Sequence, residues 1–139
     1  MKKLLVVLMA ALCLTACAGT ITTPSSQPTA VTSAQDAAQK SLYAIGTALQ
    51  ATPGILDALY NAGKVSKTDY NKVVPVYNQA LASYQLAVTA LKAAVAAGQD
   101  PNTATAYVSA LQTFLTDKTN IDNLLSAMGA QPIGTGVSK

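Results

Sequence analysis

A long stripe of apolar residues constrains the fold of this chain more than any other feature. Between residues 70 and 95 the apolar side chains recur at alternating intervals of three and four, namely Tyr70, Val73 or Val74, Tyr77, Leu81, Tyr84, Val88, Leu91 and Val95. This spacing places them on one face of an α-helix for more than three seven-residue repeats. The stripe predicts a long amphipathic helix that packs against other helices.

Capping residues bound this helix and predict another after it. Ser66, with a carboxylate three residues later, matches a capping box at the start, and Gly98 ends the helix. Asp100-Pro101 then supplies a capping side chain and a proline suited to the first helical position, and a further apolar stripe continues to Gly129. We therefore expect a last helix from about residue 101 to residue 128.

A first helix is predicted over residues 34–62, and it is interrupted at Pro53. Its apolar face consists of Ala38, Leu42, Ile45 and Leu49 before the interruption. Pro53 and Pro75 lie at similar heights on either side of the first turn. Each removes a backbone hydrogen bond, so each is expected to bend its helix at that height. Similar helix lengths and short turns predict an all-α fold, an antiparallel three-helix bundle. A true break at Pro53 would give four helices.

The segments outside the bundle have distinct compositions. Lys2 and Lys3 precede an apolar run, Leu4–Leu14, which is too short to span a membrane and is typical of a cleaved signal peptide over residues 1–16. Residues 17–33 are rich in Ser, Thr and Pro and lack charge, which predicts a flexible linker. The bundle is assigned to residues 34–129, and residues 130–139 are expected to form a flexible tail.

The end of the apolar run, Leu14-Thr15-Ala16-Cys17, resembles the lipobox of bacterial lipoproteins. The resemblance implies cleavage between Ala16 and Cys17, a diacylglyceryl group on the Cys17 thiol and an N-acyl group, such as palmitate, on its new amino group. Several acyl chains would anchor the protein stably, because each buried methylene contributes about 0.8 kcal/mol. Since Ala18 is not the aspartate that retains lipoproteins at the inner membrane, the resemblance favours the outer membrane of a Gram-negative bacterium. The alternative is an ordinary cleaved signal with a chance cysteine.

Composition argues against two classes of function. The sequence has no His, Arg, Glu or Trp, so it lacks the commonest general base and the bidentate anion ligand, and we expect no enzyme, cofactor or metal site. Without Lys2 and Lys3, seven lysines and six aspartates remain, and they form no basic block. Nucleic-acid binding is therefore not expected.

Two groups of side chains are candidate sites. Tyr70, Tyr77 and Tyr84 recur every seven residues and suggest a partner surface, although such tyrosines more often line the edge of a core. Asp117 and Asp122 are five residues apart, so their carboxylates should lie on different faces of the helix and form part of a solvated surface.

These features together predict a non-catalytic lipoprotein of the cell envelope. Its helical domain would be held at the membrane by the lipid anchor and would bind an envelope protein or a second copy of itself. The alternative is a lipoprotein of phage or prophage origin that blocks a surface receptor or acts in lysis.

Overall fold

A computed structural model describes residues 27–134 of the chain and shows three α-helices. They are α1 (Gln27–Asn61), α2 (Lys67–Ala96) and α3 (Thr105–Ala127). The proposed signal peptide, with Ala16 and Cys17, lies outside the described residues. So do residues 135–139.

Each helix contributes buried residues at intervals of seven. These are Leu42, Leu49 and Leu56 in α1, Val73, Ala80, Ala87 and Ala94 in α2, and Tyr107, Phe114 and Ile121 in α3. All belong to one continuous hydrophobic core. A seven-residue interval returns to nearly the same face of a helix, so three such faces converge on a common core. The predicted all-α, three-helix bundle is confirmed.

The helices do not approach one another equally. α2 and α3 pack closely along their backbones, α1 and α2 do so much less, and α1 and α3 have no comparably close approach. The cause lies in side-chain size, because three of the four seven-residue positions of α2 are alanines, which let a neighbouring backbone come near. α1 contacts the core mainly through leucines, which hold its backbone farther away.

Pro53 lies inside α1, which continues through it without a break. The alternative of four helices, which required a true break at Pro53, is therefore excluded. Leu49 and Leu56, one on each side of the proline, are both buried in the same core, and Thr52 is fully buried between them. Packing of both halves against one core outweighs the backbone hydrogen bond that proline removes.

The structure also corrects the start of α1. The predicted linker was wrong for residues 27–33, which are helical. Pro28 falls in the first turn, where its missing N–H is tolerated. The partly buried residues Val31, Ala34 and Ala38 then extend the apolar face towards the N-terminus.

The predicted start of α3 was wrong as well, since the helix begins at Thr105 and not near Pro101. Asp100 directs a separate turn: its carboxylate accepts the Asn102 N–H at 2.9 Å, and its carbonyl accepts the N–H groups of Thr103 and Ala104. Pro101 is fully buried within this turn. The predicted bounds of α2 agree with the structure, where Ser66 caps the helix by accepting the Asp69 N–H at 3.1 Å.

Part of the predicted flexible tail packs onto the bundle. Ile133 is buried, and its N–H donates to Asp122 Oδ1 at 2.6 Å. Gly134 lies close to Ala48 of α1. Residues 130–134 therefore connect the end of α3 to α1, because a buried isoleucine and a charge-assisted hydrogen bond fix them there.

Candidate functional site

A groove between α1 and α2 is a concave feature of the described surface. It has a volume of about 590 Å³ and lies between the middle of α1, at residues 39–43, and the C-terminal half of α2, away from the turn that joins the two helices. Its lining comprises Gln39, Lys40, Leu42, Tyr43, Tyr84, Val88, Leu91, Lys92, Val95 and Ala96. The volume falls within the range of about 300–1,000 Å³ that is typical of small-molecule sites.

The apolar lining of this groove comes from residues of the core and from half-buried residues packed against it. Leu42 and Leu91 are buried and form its floor, while Val88 and Val95 are half-buried. Tyr43 is 74% exposed, the highest value among the exposed large apolar residues of the described chain. A large aromatic ring in water beside an apolar groove is a feature that often marks a binding surface.

Two lysines, Lys40 on α1 and Lys92 on α2, carry all the formal charge of the groove lining. Within residues 27–134 neither of them forms an ion pair. Asp36 lies one turn before Lys40, yet it neither lines the groove nor pairs with that lysine. The groove therefore combines an apolar surface with two positive charges, neither of which forms an ion pair within residues 27–134.

Sequence reasoning did not find these lysines or Tyr43. They lie beside the apolar stripes and not within them, so periodicity assigns them to the solvated surface. The sequence did contain one signal of an exposed apolar surface, which was Tyr43. This aromatic residue follows Leu42 but lies off the helical face that Leu42 shares with Leu49.

The three tyrosines of α2 lie at the edge of the core, as partly buried residues packed against it. The Tyr70 hydroxyl donates to Asp57 Oδ1 at 2.8 Å, and this hydrogen bond raises the pKa of Tyr70. Tyr77 also packs on the core, and the Tyr84 ring lies 5.3 Å from the Phe114 ring, centroid to centroid. Of the three, only Tyr84 lines the groove.

The prediction that Asp117 and Asp122 form a solvated face was wrong. Asp117 is only 5% exposed, and its Oδ1 accepts a hydrogen bond from Gln79 Nε2 at 2.8 Å. Asp122 pairs with Lys118 at 2.6 Å, and both side chains are less than one-fifth exposed. Their five-residue separation does place them differently, as expected: Asp117 contacts α2, whereas Asp122 contacts the segment that contains Ile133.

These polar contacts hold parts of the fold together. Asp117 links α3 to α2, and Asp122 holds the segment after α3, so each carboxylate already has protein partners. Residues 27–134 contain no cluster of three or more acidic, His or Cys side chains able to hold a metal ion. Among the described helices, none is long and apolar enough to cross a membrane.

Comparison of the chain with known protein families, with curated proteins and with solved structures found no match to any of them. The groove and its lysines therefore have to be interpreted from their own chemistry.

Proposed function

We propose that the protein is a lipid-anchored component of the bacterial cell envelope whose helical bundle binds another molecule and catalyses no reaction. The observation that carries this proposal is the sequence Leu14-Thr15-Ala16-Cys17 at the end of a short apolar run. Cys17 would bear the diacylglyceryl and N-acyl groups, and the outer membrane of a Gram-negative bacterium is the proposed destination.

The position of the bundle relative to Cys17 supports a role at the membrane. Nine residues separate Cys17 from the start of α1, and even a fully extended chain of that length spans only about 30 Å. The groove begins at Gln39, twelve residues into α1, so about 18 Å of helix lies between it and this segment. An anchored bundle would thus keep its groove within about 50 Å of the membrane.

The non-catalytic part of the proposal rests on side-chain chemistry. The sequence offers no imidazole, guanidinium or Glu carboxylate, and the aspartates of α3 are engaged in hydrogen bonds that hold the bundle together. A binding role needs only the groove and its two lysines. Reproducible turnover of a defined substrate by the purified protein would contradict this part.

Membrane fractionation with intact-mass analysis tests the anchor. We expect the wild-type protein to carry the acyl mass and to sediment with the outer membrane, and a Cys17→Ser variant to lose both properties. Cys13→Ser is the matched control, because it removes the other cysteine from within the proposed signal and should leave acylation intact. A soluble, unacylated wild-type protein would refute the anchor.

A further inference from the structure

The geometry points to a specific ligand for the groove between α1 and α2: a single amphiphile with an acyl chain and an anionic head group, such as a fatty acid. The acyl chain would lie along the apolar lining, and the head group would lie between Lys40 and Lys92. This inference goes beyond the lipid anchor and does not depend on it.

The shape and lining of the groove suit an acyl chain. Its apolar residues Val88, Leu91 and Val95 come from successive turns of α2, and Leu42 of α1 lines it as well, so the apolar surface is elongated along α2. Tyr43, exposed beside it, can cover a bound chain with a large rigid ring at small cost in side-chain entropy. Burial of apolar ligand surface would supply most of the affinity.

The charges select the head group. The charged residues of the lining are two lysines, one on each helix, and they lie on opposite sides of the groove. The lining holds no carboxylate. Within the described chain both ammonium groups lack an ion-pair partner, whereas Lys72 and Lys118 each pair with an aspartate. An anion between Lys40 and Lys92 would give each a counter-charge next to an apolar surface, where ion pairs are screened less than in open water.

Two other occupants fit less well. Residues 18–26 of the same chain could reach the groove, but they carry no charge and only one large apolar residue, Ile21. A second copy of the chain would have to present a carboxylate beside an apolar ridge to satisfy the lysines. The pairing of cations with apolar surface therefore favours an anionic amphiphile.

Binding of parinaric acid, a fluorescent long-chain fatty acid, and of its uncharged methyl ester tests the inference. The protein is the chain from residue 17 onward with Cys17→Ser, which retains every described helix and carries no acyl group of its own. Both probes are titrated as monomers, below their aggregation limits, at neutral pH, where the acid is ionised. We expect saturable binding, with the acid bound about fivefold or more tightly than the ester.

Matched variants separate the role of the lysines from that of net charge. Lys40→Gln with Lys92→Gln should abolish the preference for the acid and leave affinity for the ester unchanged. Lys64→Gln with Lys67→Gln makes the same change of charge at the opposite end of the helix pair, so it should retain the preference. All four lysines are exposed, so these variants should keep their helical circular dichroism. Equal losses in the two pairs would overturn the proposal.

A second pair of variants tests the apolar surface. Tyr43→Ala should weaken binding of both probes by about fivefold, because it removes the exposed ring that lines the groove. Leu86→Ala removes another exposed apolar side chain, 64% exposed and outside the lining, and should have no effect. Equal behaviour of these two variants would contradict binding in the groove.

The remaining outcomes identify other occupants and would also overturn the proposal. Probe binding that appears only after residues 18–26 are deleted would show that this segment fills the groove. A dimer in sedimentation equilibrium that Tyr43→Ala dissociates, without probe binding, would indicate a second copy. Binding to anionic vesicles without binding of monomeric acid would indicate a membrane surface instead of a single lipid.

Discussion

At the scale of single residues, Tyr84 occupies the space that any side chain at position 46 would need. Gly46 is buried in α1, and a β-carbon placed there would overlap the Tyr84 ring. That ring also packs against the ring of Phe114, with the two centroids 5.3 Å apart. The glycine therefore permits an aromatic contact between α1 and α2, although glycine inside a helix costs about 1 kcal/mol relative to alanine.

Gly46→Ala is expected to lower the free energy of unfolding by about 1–2 kcal/mol, because the clash outweighs the gain in helix propensity. Gly54→Ala is the matched control in the same helix. Apart from its chain neighbours and the nearby backbone of its own helix, no atom lies within 4 Å of the site of its added methyl group, so the change should stabilise the protein by about 0.5–1 kcal/mol. Urea denaturation followed by circular dichroism measures both. Stabilisation by both variants would show that Tyr84 does not require Gly46.

A second residue-scale prediction concerns alkaline pH and Tyr107. Burial raises the pKa of this phenol above its usual value, since the phenolate would lose hydration in the core. The folded state therefore favours the neutral phenol. The contribution of this phenol to the free energy of unfolding is fully present below pH ~10 and is lost as the pH rises through the folded-state pKa.

Tyr107→Phe should therefore reduce the loss of unfolding free energy between pH 8 and pH 11. Tyr43→Phe removes the hydroxyl of the most exposed tyrosine of the described chain and provides the control. Contributions from groups common to all three proteins cancel in the comparison, so the difference between the variants isolates Tyr107. Identical pH profiles would contradict the predicted effect of burial.

At the scale of helices, the sequence was sufficient to predict the number of helices, their order and the bounds of α2. The stripe from Tyr70 to Val95 is long. Ser66 marks its start as a side-chain cap, and Gly98 marks its end with a positive φ angle. The turn at Asp100 was not predicted, because an Asp-Pro pair suits a helix start and a tight turn equally well. The structure selects the turn, in which Pro101 is buried.

Three other features depend on tertiary packing, which local sequence does not encode. A proline in an isolated segment predicts a break, but Leu49 and Leu56 pack on one core and keep α1 continuous. Asp117 looks like a surface residue until Gln79 of α2 is placed opposite it. The lysine pair of the groove was missed for the same reason, since Lys40 and Lys92 are 52 positions apart and meet only when the helices are antiparallel.

At the scale of the whole molecule, α1 is attached differently from the other two helices. α2 and α3 interlock through the small residues Ala80, Ala87 and Ala94, whereas α1 has no close backbone approach to α3. The segment after α3 compensates in part, since Ile133 is buried and Gly134 lies near Ala48. The groove lies along the less tightly packed pair, α1 and α2, where space for a ligand remains.

This arrangement predicts unequal local stability. Native-state hydrogen exchange should show amides of α1 exchanging through an opening of lower free energy than amides of α3, because fewer close contacts must break to release α1. Ile133→Ala should enlarge that difference. The loss of its side chain removes a contact that holds the C-terminal segment in place next to α1, and we expect a cost of about 1–3 kcal/mol.

Val65→Ala is the comparison for this variant, since Val65 is likewise a buried apolar residue outside the helices but lies in the turn between α1 and α2. If the segment after α3 secures α1, Ile133→Ala should accelerate exchange in α1 at residues around Ala48 and leave the centre of α3 protected. If all three helices instead exchange with one common free energy in both variants, the bundle opens as a single unit. The groove would then be a fixed feature of the fold, because α1 could not move independently to admit a ligand.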